Sequence, residues 1–469
     1  MDEGLWRAPP RRRTESRAPR RRGRLLAAAL LVAAGASAAA AALLLPGGPH
    51  GRYGSVRLHP CPLADGLSGL CGRVSVPLDP GDAGGRKIGL RVAVLPATRH
   101  REGAAFWLEG GPGGAASQSA LAASTLLGPV ERTRDLVLLD QRGTGGSAAA
   151  SCPAPDGRLA AWLRRCLAAH PGARFLTSAA AADDVDAVRR ALGYGRVDLV
   201  GASYGATLAQ LVAERHPGAV RSLVLDAATP LGVPVYAREP ATAARALAGV
   251  VAECTAVAAC RRAYPHLAAE ARAGLRGGPG VSRAAAAATV EALLRTADGQ
   301  AVVPYDLDRA ARGNVKPLGE DFKTYVGTGI DRRLRLLMAW EIQCREPWAR
   351  LGPAGSGFLA PAVTARNALL RDGCAALPQA HVPAEPAGPV DRPALVLVGS
   401  TDPQSAPYAA RWKRLLPAAR LVVVAGGAHG VSDVGCVPRL VVRFLERGSA
   451  DGLDTRCARR APPPAFQLR

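Results

Sequence analysis

From residue 70 onward, short β-branched runs alternate with stretches whose apolar positions recur at helical spacing. Arg73–Leu78 and Ile88–Leu95 read as an initial hairpin, Ala104–Leu108 as a third strand and Asp135–Leu139 as a fourth. Ala179–Leu192 reads as a helix, with Asp183, Asp184 and Asp186 in its first turns, where carboxylates favour the helix dipole. Val197–Val200 is a strand followed by a sharp turn and a helix to about His216, and Val220–Leu225 is a further strand. Such alternation predicts an α/β protein, with a mostly parallel sheet covered by helices on both faces. The rhythm breaks over residues 230–385, which are rich in Ala and Arg and read as helical. It resumes at Ala394–Val398 and Leu421–Val424, before a last helix at about Val437–Arg447. The pattern therefore divides the chain into a sheet domain at 51–229, a helical insertion at 230–385 and the rest of the sheet domain at 386–469. Ala461-Pro462-Pro463-Pro464 reads as a loose end.

Residues 1–50 belong to none of this. Arg11 to Arg24 is a basic run, and Leu25 to Leu45 carries no charge. As a helix, 21 residues at about 1.5 Å each span roughly 30 Å, enough for a bilayer. Ala36-Ser37-Ala38 also fits a small-residue cleavage site behind an apolar stretch Leu25–Gly35, as in a secretory signal. Arg21-Arg22 before Leu25-Leu26 weakly resembles a twin-arginine signal. A cleaved signal and a retained N-terminal membrane anchor both remain open, and both predict a secreted or otherwise extracytoplasmic body. Ten Cys residues agree with that compartment, where an even count reads as disulfides. Sequence does not fix their connectivity; pairing each with its neighbour is the simplest scheme. Cys166 and His170 have ligand-like spacing, but no second such pair accompanies them, so no metal and no cofactor is expected.

Charge changes the picture less than it first promises. The formal net charge is +22, and Arg supplies nearly all of the 60 basic residues. Nine Arg residues lie within the first 24 positions, where they belong to the export segment. The others are scattered singly or in pairs. Aromatic residues make up 4% of the chain, too few for a base-stacking platform, and no nucleic-acid-binding signature is present. No nucleic-acid partner is expected, and the surface is read as Arg-biased.

Candidate chemistry centres on Gly201-Ala202-Ser203-Tyr204-Gly205, a G-x-S-x-G between a strand and a helix. So tight a turn leaves no room for side chains at 201 and 205, and strains Ser203 so that its hydroxyl projects. A serine hydroxyl needs a base to become a nucleophile. Of the downstream histidines, His216 ends a helix, and His266 and His381 lie in the insertion. His429, in Gly426-Gly427-Ala428-His429-Gly430 after a strand, is the expected base. Asp402, in Gly399-Ser400-Thr401-Asp402-Pro403, is the expected acid; Asp226 is its rival and more naturally a structural cap. Oxyanion donors are expected from the backbone N–H of Tyr204 and from the loop Gly110–Gly114, at Gly111.

Taken together, these motifs resemble the prolyl aminopeptidase and tripeptidyl aminopeptidase family of α/β-hydrolases, over roughly residues 55–458. The resemblance rests on Gly110-Gly111-Pro112-Gly113-Gly114, Asp140-Gln141-Arg142-Gly143-Thr144-Gly145-Gly146-Ser147, Gly201–Gly205, Asp402-Pro403 with Pro407, and Gly427-Ala428-His429-Gly430. It implies the α/β-hydrolase fold with the insertion as a helical cap, a TAP-like C-terminal region, and the triad Ser203, Asp402 and His429. It also favours neighbour pairing of the cysteines. An aminopeptidase must hold a cationic amino terminus. Cys344-Arg345-Glu346 resembles the family's cap motif, so Glu346 is the candidate carboxylate, with Glu341 second. Glu341 and Arg345 are four apart and can equally pair along a helix. Glu109 before the Gly-Gly-Pro loop and Ala428 before the histidine depart from the family pattern and weigh against the prolyl-specific branch. The function implied is an exported serine aminopeptidase acting on small peptides with a free N-terminus. The alternatives are a small-ester hydrolase on the same fold and a non-catalytic envelope-binding protein.

Overall fold

The computed structural model describes residues 52–149, 152, 159–233, 239–326, 336–346, 359–377 and 389–468. The apolar stretch 25–45 and His381 lie outside them. Among the described residues no helix is long and apolar enough to cross a membrane. By its internal contacts the chain divides into Met1–Arg52 and Tyr53–Arg469, and the sheet and its helices belong to the second unit.

Nine strands form one sheet: β1 (His59–Pro62), β2 (Ser68–Pro77), β3 (Lys87–Leu95), β4 (Gly103–Leu108), β5 (Arg134–Leu139), β6 (Val197–Ala202), β7 (Val220–Asp226), β8 (Ala394–Gly399) and β9 (Ala419–Val424). Their spatial order is β9-β8-β7-β6-β4-β5-β3-β2-β1. Pairing is antiparallel from β1 through β3 to β5 and parallel from β5 to β9. The central parallel strands are apolar runs because both faces are covered: all six residues of β5 and all six of β8 are buried. Edge strand β9 instead alternates buried with partly or fully exposed positions. One apolar core lies on each face of the sheet. On the second face the closing helix α14 (Val437–Arg447) buries Val437, Leu440, Val441, Phe444 and Leu445. That spacing gives one apolar stripe on a helix.

The helices between β7 and β8 pack on two further apolar clusters, the smaller of them shared with earlier parts of the chain. The larger includes α5 (Glu239–Ala256), α8 (Arg283–Leu293) and α9 (Ala297–Ala311). The smaller gathers α2 (Leu159–Ala169) and α11 (Leu336–Arg345) around Trp162, Met338 and Tyr204, the residue after Ser203. All ten cysteines are paired with their neighbours: Cys61–Cys71, Cys152–Cys166, Cys254–Cys260, Cys344–Cys374 and Cys436–Cys457. The grouping of Cys152, Cys166 and His170 is thus a disulfide beside a histidine, with no thiolate to offer a metal.

Two expectations are corrected. The acidic residues of α3 (Ser178–Ala191) are not in its first turn and do not act on the dipole. Asp183 pairs with Arg215 and His216, Asp186 with Arg189 and Arg190, and Asp184 with the buried Arg142. Nor is the C-terminal segment loose. After its prolines, Phe466 is buried in the larger helical cluster. Gln467 N donates to the Ala301 carbonyl (2.9 Å), and Tyr264 Oη donates to the Gln467 carbonyl (2.7 Å). A stiff Pro-rich stretch carries those two residues across to α9.

The Asp140–Ser147 loop supports the fold. Asp140 accepts from Ser117 N, Ser117 Oγ and Gly146 N, each at 2.9 Å. Arg142 grips Asp184 with two bonds of 2.7 Å and donates to the carbonyls of Leu78 and Phe175. Breaking a buried pair on one side strands the other charge at a cost of about 3–5 kcal/mol, whereas replacing both partners with apolar groups is often neutral. Arg142→Met should therefore lower the unfolding free energy by about that amount in urea titration, and Arg142→Met with Asp184→Leu should recover most of it.

Candidate active site

Four loops leave the carboxyl ends of parallel strands and converge, the position at which open α/β sheets hold their ligands. The register sets the ends side by side: Leu108 lies beside Gly201, Ala202 beside Asp226, and Asp226 beside Leu397. From β6 the chain turns at once into α4 (Tyr204–Arg215). Ser203 occupies that turn with φ 54° and ψ −121°, a region costly for any residue with a side chain. The glycines on either side have a steric cause. A Cβ on Gly201 would strike the backbone of Gly205, and one on Gly205 would strike the Leu108 carbonyl. The strained serine is held by its N–H, which donates to the Asp226 carbonyl at 2.9 Å.

His429 follows β9 and points its ring at Ser203, with Nε2 at 2.9 Å from Oγ. Its Nδ1 lies 3.0 Å from Asp402 Oδ2, in the loop after β8. A carboxylate can only accept, so Nδ1 carries the proton and Nε2 is left to accept from the serine hydroxyl. Asp402 is almost wholly buried, and it also accepts from Gln404 N at 2.8 Å and from Ser405 Oγ. Burial alone would raise its pKa, but the His429 charge and these donors together hold it below the ordinary carboxylate value. Burial works against the charged form of His429 too, yet the facing Asp402 outweighs it and raises the imidazole above its ordinary value. The arrangement is a hydroxyl, a base and a buried acid in hydrogen-bonded series, which can move a proton from Ser203 onto His429.

Asp226 has a different task. It is buried and accepts from Val431 N (2.9 Å) and Ser432 N (2.8 Å), fastening the backbone just beyond His429. Gly110 lies against the nucleophile, since a Cβ there would come within 3.4 Å of Ser203 Cβ. Gly111 has φ 118°, open to glycine. Tyr204 is the first residue of α4 and is buried. Glu109 pins this loop through Trp107 Nε1 (3.0 Å) and Gly110 N (3.1 Å).

Of the two acids proposed to bind substrate, Glu346 lies just after α11 and is 8% exposed. Its oxygens accept from Ser178 N (2.7 Å) and Ser178 Oγ (2.6 Å), and that hydroxyl is 2.9 Å from Tyr204 Oη. Glu346 therefore joins the start of α3 and, through one serine, the residue after Ser203. Glu341 is buried and accepts from Arg345 Nη1 at 3.1 Å, four residues on along α11. Burial pushes its carboxyl up despite that partner.

Family models match the chain twice: residues 107–253 as alpha/beta hydrolase fold and residues 360–457 as TAP-like protein. The chain has the α/β-hydrolase fold, and its C-terminal region matches the TAP-like model. Serine protease Hip1 of Mycobacterium tuberculosis is 31% identical over 186 residues, 34% of this chain and 36% of that protein. Tripeptidyl aminopeptidase of Streptomyces lividans is 30% identical over 190 residues, 33% of this chain and 34% of that protein. The match thus spans about a third of the length of these relatives. Carboxylesterase B of M. tuberculosis is 33% identical over 153 residues, 32% of this chain and 28% of that protein. Among solved structures, proline iminopeptidase of Mycobacterium smegmatis aligns over 80% of this chain and 98% of its own, at 18% identity and TM-score 0.36.

Several supporting residues carry no motif. Ser178, Arg295 and Gln300 meet Tyr204, His429 and Thr401 only once distant segments are packed, and Glu109 stood out in the sequence only as a departure from the family. The series Ser203–His429–Asp402 makes a direct expectation. In an NMR titration the His429 ring should protonate at a pH above the ordinary histidine value of about 6.5, and Asp402→Asn should bring that titration down.

Proposed function

We propose that this protein is an exported serine aminopeptidase that removes residues or short peptides from a free N-terminus through an acyl-enzyme. The hydrogen-bonded series from Ser203 through His429 to Asp402 carries the reading. His429 takes the proton as Ser203 Oγ attacks the substrate carbonyl, then passes it to the leaving amine. Water repeats the cycle to free the acyl group. Asp402 holds the ring in the productive tautomer and balances its charge. The N–H groups of Tyr204 and Gly111 take the oxyanion. A peptide rather than an ester substrate is supported by relatives named serine protease Hip1 and tripeptidyl aminopeptidase. Export is supported by five disulfides, which persist in oxidising compartments.

A free amino terminus calls for a carboxylate, and Glu346 is the proposed anchor. A carboxylate accepts at about four sites, so one group can serve both Ser178 and a substrate amine. Glu341, committed to Arg345, is the second candidate. Hydrolysis of small esters is the alternative activity, favoured by the relative named carboxylesterase B.

The test is a panel of aminoacyl, dipeptidyl and tripeptidyl chromogenic amides, their N-blocked versions and simple esters. Free-amine substrates should be cleaved and blocked ones spared; cleavage of the simple esters with every amide spared establishes the ester reading instead. Ser203→Ala should lower kcat by about a millionfold, as in other triads, and abolish fluorophosphonate labelling. The base works only when unprotonated, so kcat/KM should fall as pH drops through the raised His429 value. Glu346→Gln should cripple cleavage of free-amine substrates and spare esters; equal loss on both removes the anchor role.

A further inference from the structure

The insertion touches the site directly, because its α8–α9 junction is hydrogen-bonded to the loops of both Asp402 and His429. The backbone N–H of His429 donates to the Arg295 carbonyl at 3.1 Å. Five residues on, in the first turn of α9, the Gln300 side chain has no solvent exposure. Its Nε2 donates to the Leu294 carbonyl (2.8 Å) and approaches the Thr401 carbonyl (3.4 Å). Its Oε1 lies 2.9 Å from Thr401 Oγ1. Thr401 precedes Asp402, and its Oγ1 also lies 2.8 Å from the Gly427 carbonyl, two residues before His429. Helix α5 closes the same spot: a Cβ on Gly249 would come within 2.9 Å of the Thr401 methyl.

The hydroxyl of Thr401 has one proton and two acceptors within reach. The Gly427 carbonyl is already served by Thr401 N–H at 3.1 Å. The amide cannot be turned over, because Oε1 would then face two carbonyls. Gln300 Oε1 is left needing a donor, and Thr401 supplies it. The amide is therefore satisfied in one orientation, and that orientation binds the acid loop to the insertion. A buried amide is a costly choice for filling space, since an unpaired polar group costs about 1–3 kcal/mol where leucine costs nothing of the kind. Gln300 touches no reacting atom.

We propose that Gln300 is a positioning residue through which the helical insertion sets the alignment of Asp402 with His429. The proposal rests on reading Ser203, His429 and Asp402 as a catalytic triad. It makes the geometry of proton transfer depend on a helix more than one hundred positions away in the chain from both Asp402 and His429.

The experiment compares wild type, Gln300→Leu, Thr401→Val and the double variant in the full chain, on the best chromogenic substrate of the panel. Misplacing catalytic groups by about 1 Å costs on the order of a hundredfold, so kcat should drop about tenfold to a hundredfold with KM nearly unchanged. The acid limb of the pH profile should move to lower pH, because His429 loses part of its hold on Asp402. The double variant should be no worse than the weaker single, since both remove one link. Thr401→Ser, which keeps the hydroxyl, should recover most of the Thr401→Val loss. Wild-type kcat and an unmoved acid limb in Gln300→Leu and Thr401→Val overturn the proposal, whatever happens to thermal stability. Should Gln300→Leu fail to fold, the Thr401→Val and Thr401→Ser pair decides alone. A Ser203→Ala control that keeps full rate would instead strike the triad reading itself.

Discussion

Everything at the site depends on one close approach, that of the Gly205 backbone to the carbonyl at the end of the neighbouring strand β4. It lets α4 begin immediately after β6, and it forces Ser203 into a conformation that only a well-braced turn can hold. The brace comes from strands on both sides: the Leu108 end of β4 and the Asp226 carbonyl of β7. A serine in a relaxed loop would not present its hydroxyl along the line on which His429 waits. The sheet is thus the instrument that stores the strain, and the hydroxyl is where it is used.

Around that fixed point the remaining groups arrive from far along the chain. Asp402 and His429 come after the last two strands, beyond the helical insertion. The His429 loop is glycine-rich, and the two loops are held by Asp226, by Ser405 and Gln404, and by Arg295 and Gln300 from the insertion. The C-terminal residues Phe466 and Gln467 complete the frame by gripping α9 one residue from Gln300. Sheet, insertion and C-terminal segment are therefore one mechanical unit at the site. This is consistent with an apolar cluster that runs from Trp162 through Tyr204 to Met338.

Much of this was legible in the sequence, for a physical reason. Strand runs such as Leu136–Leu139 and Leu395–Val398 are apolar on both faces, and their periodicity could be read without knowing their partners. Gly201–Gly205 could be read because a steric demand leaves a local signature. Asp402 could be preferred to Asp226 because an acid closing the strand next to the nucleophile reads as a structural cap, and the geometry gives each its own partner. What could not be read was anything that depends on packing between remote segments. Gln300 is an ordinary residue in an Ala-rich helix until Thr401 is laid against it. Phe466 comes after a run of prolines and gives no periodic signal at all. Asp183 and Asp184 are adjacent in the chain, yet one faces Arg215 and the other the buried Arg142, and no local rule distinguishes them.

The five cystines differ in kind from the contacts that build the site. Ser203 and His429 meet across 226 positions, whereas the bridges span 6 to 30. Each joins a cysteine to the next one in the chain, and no two overlap. A polypeptide oxidised as it emerges, first residue first, therefore finds the right thiol before any wrong one exists. It never has to undo a bridge to make another. The bonds can be in place before the far strands of the sheet are made, so that covalent closure precedes the long-range assembly instead of waiting on it.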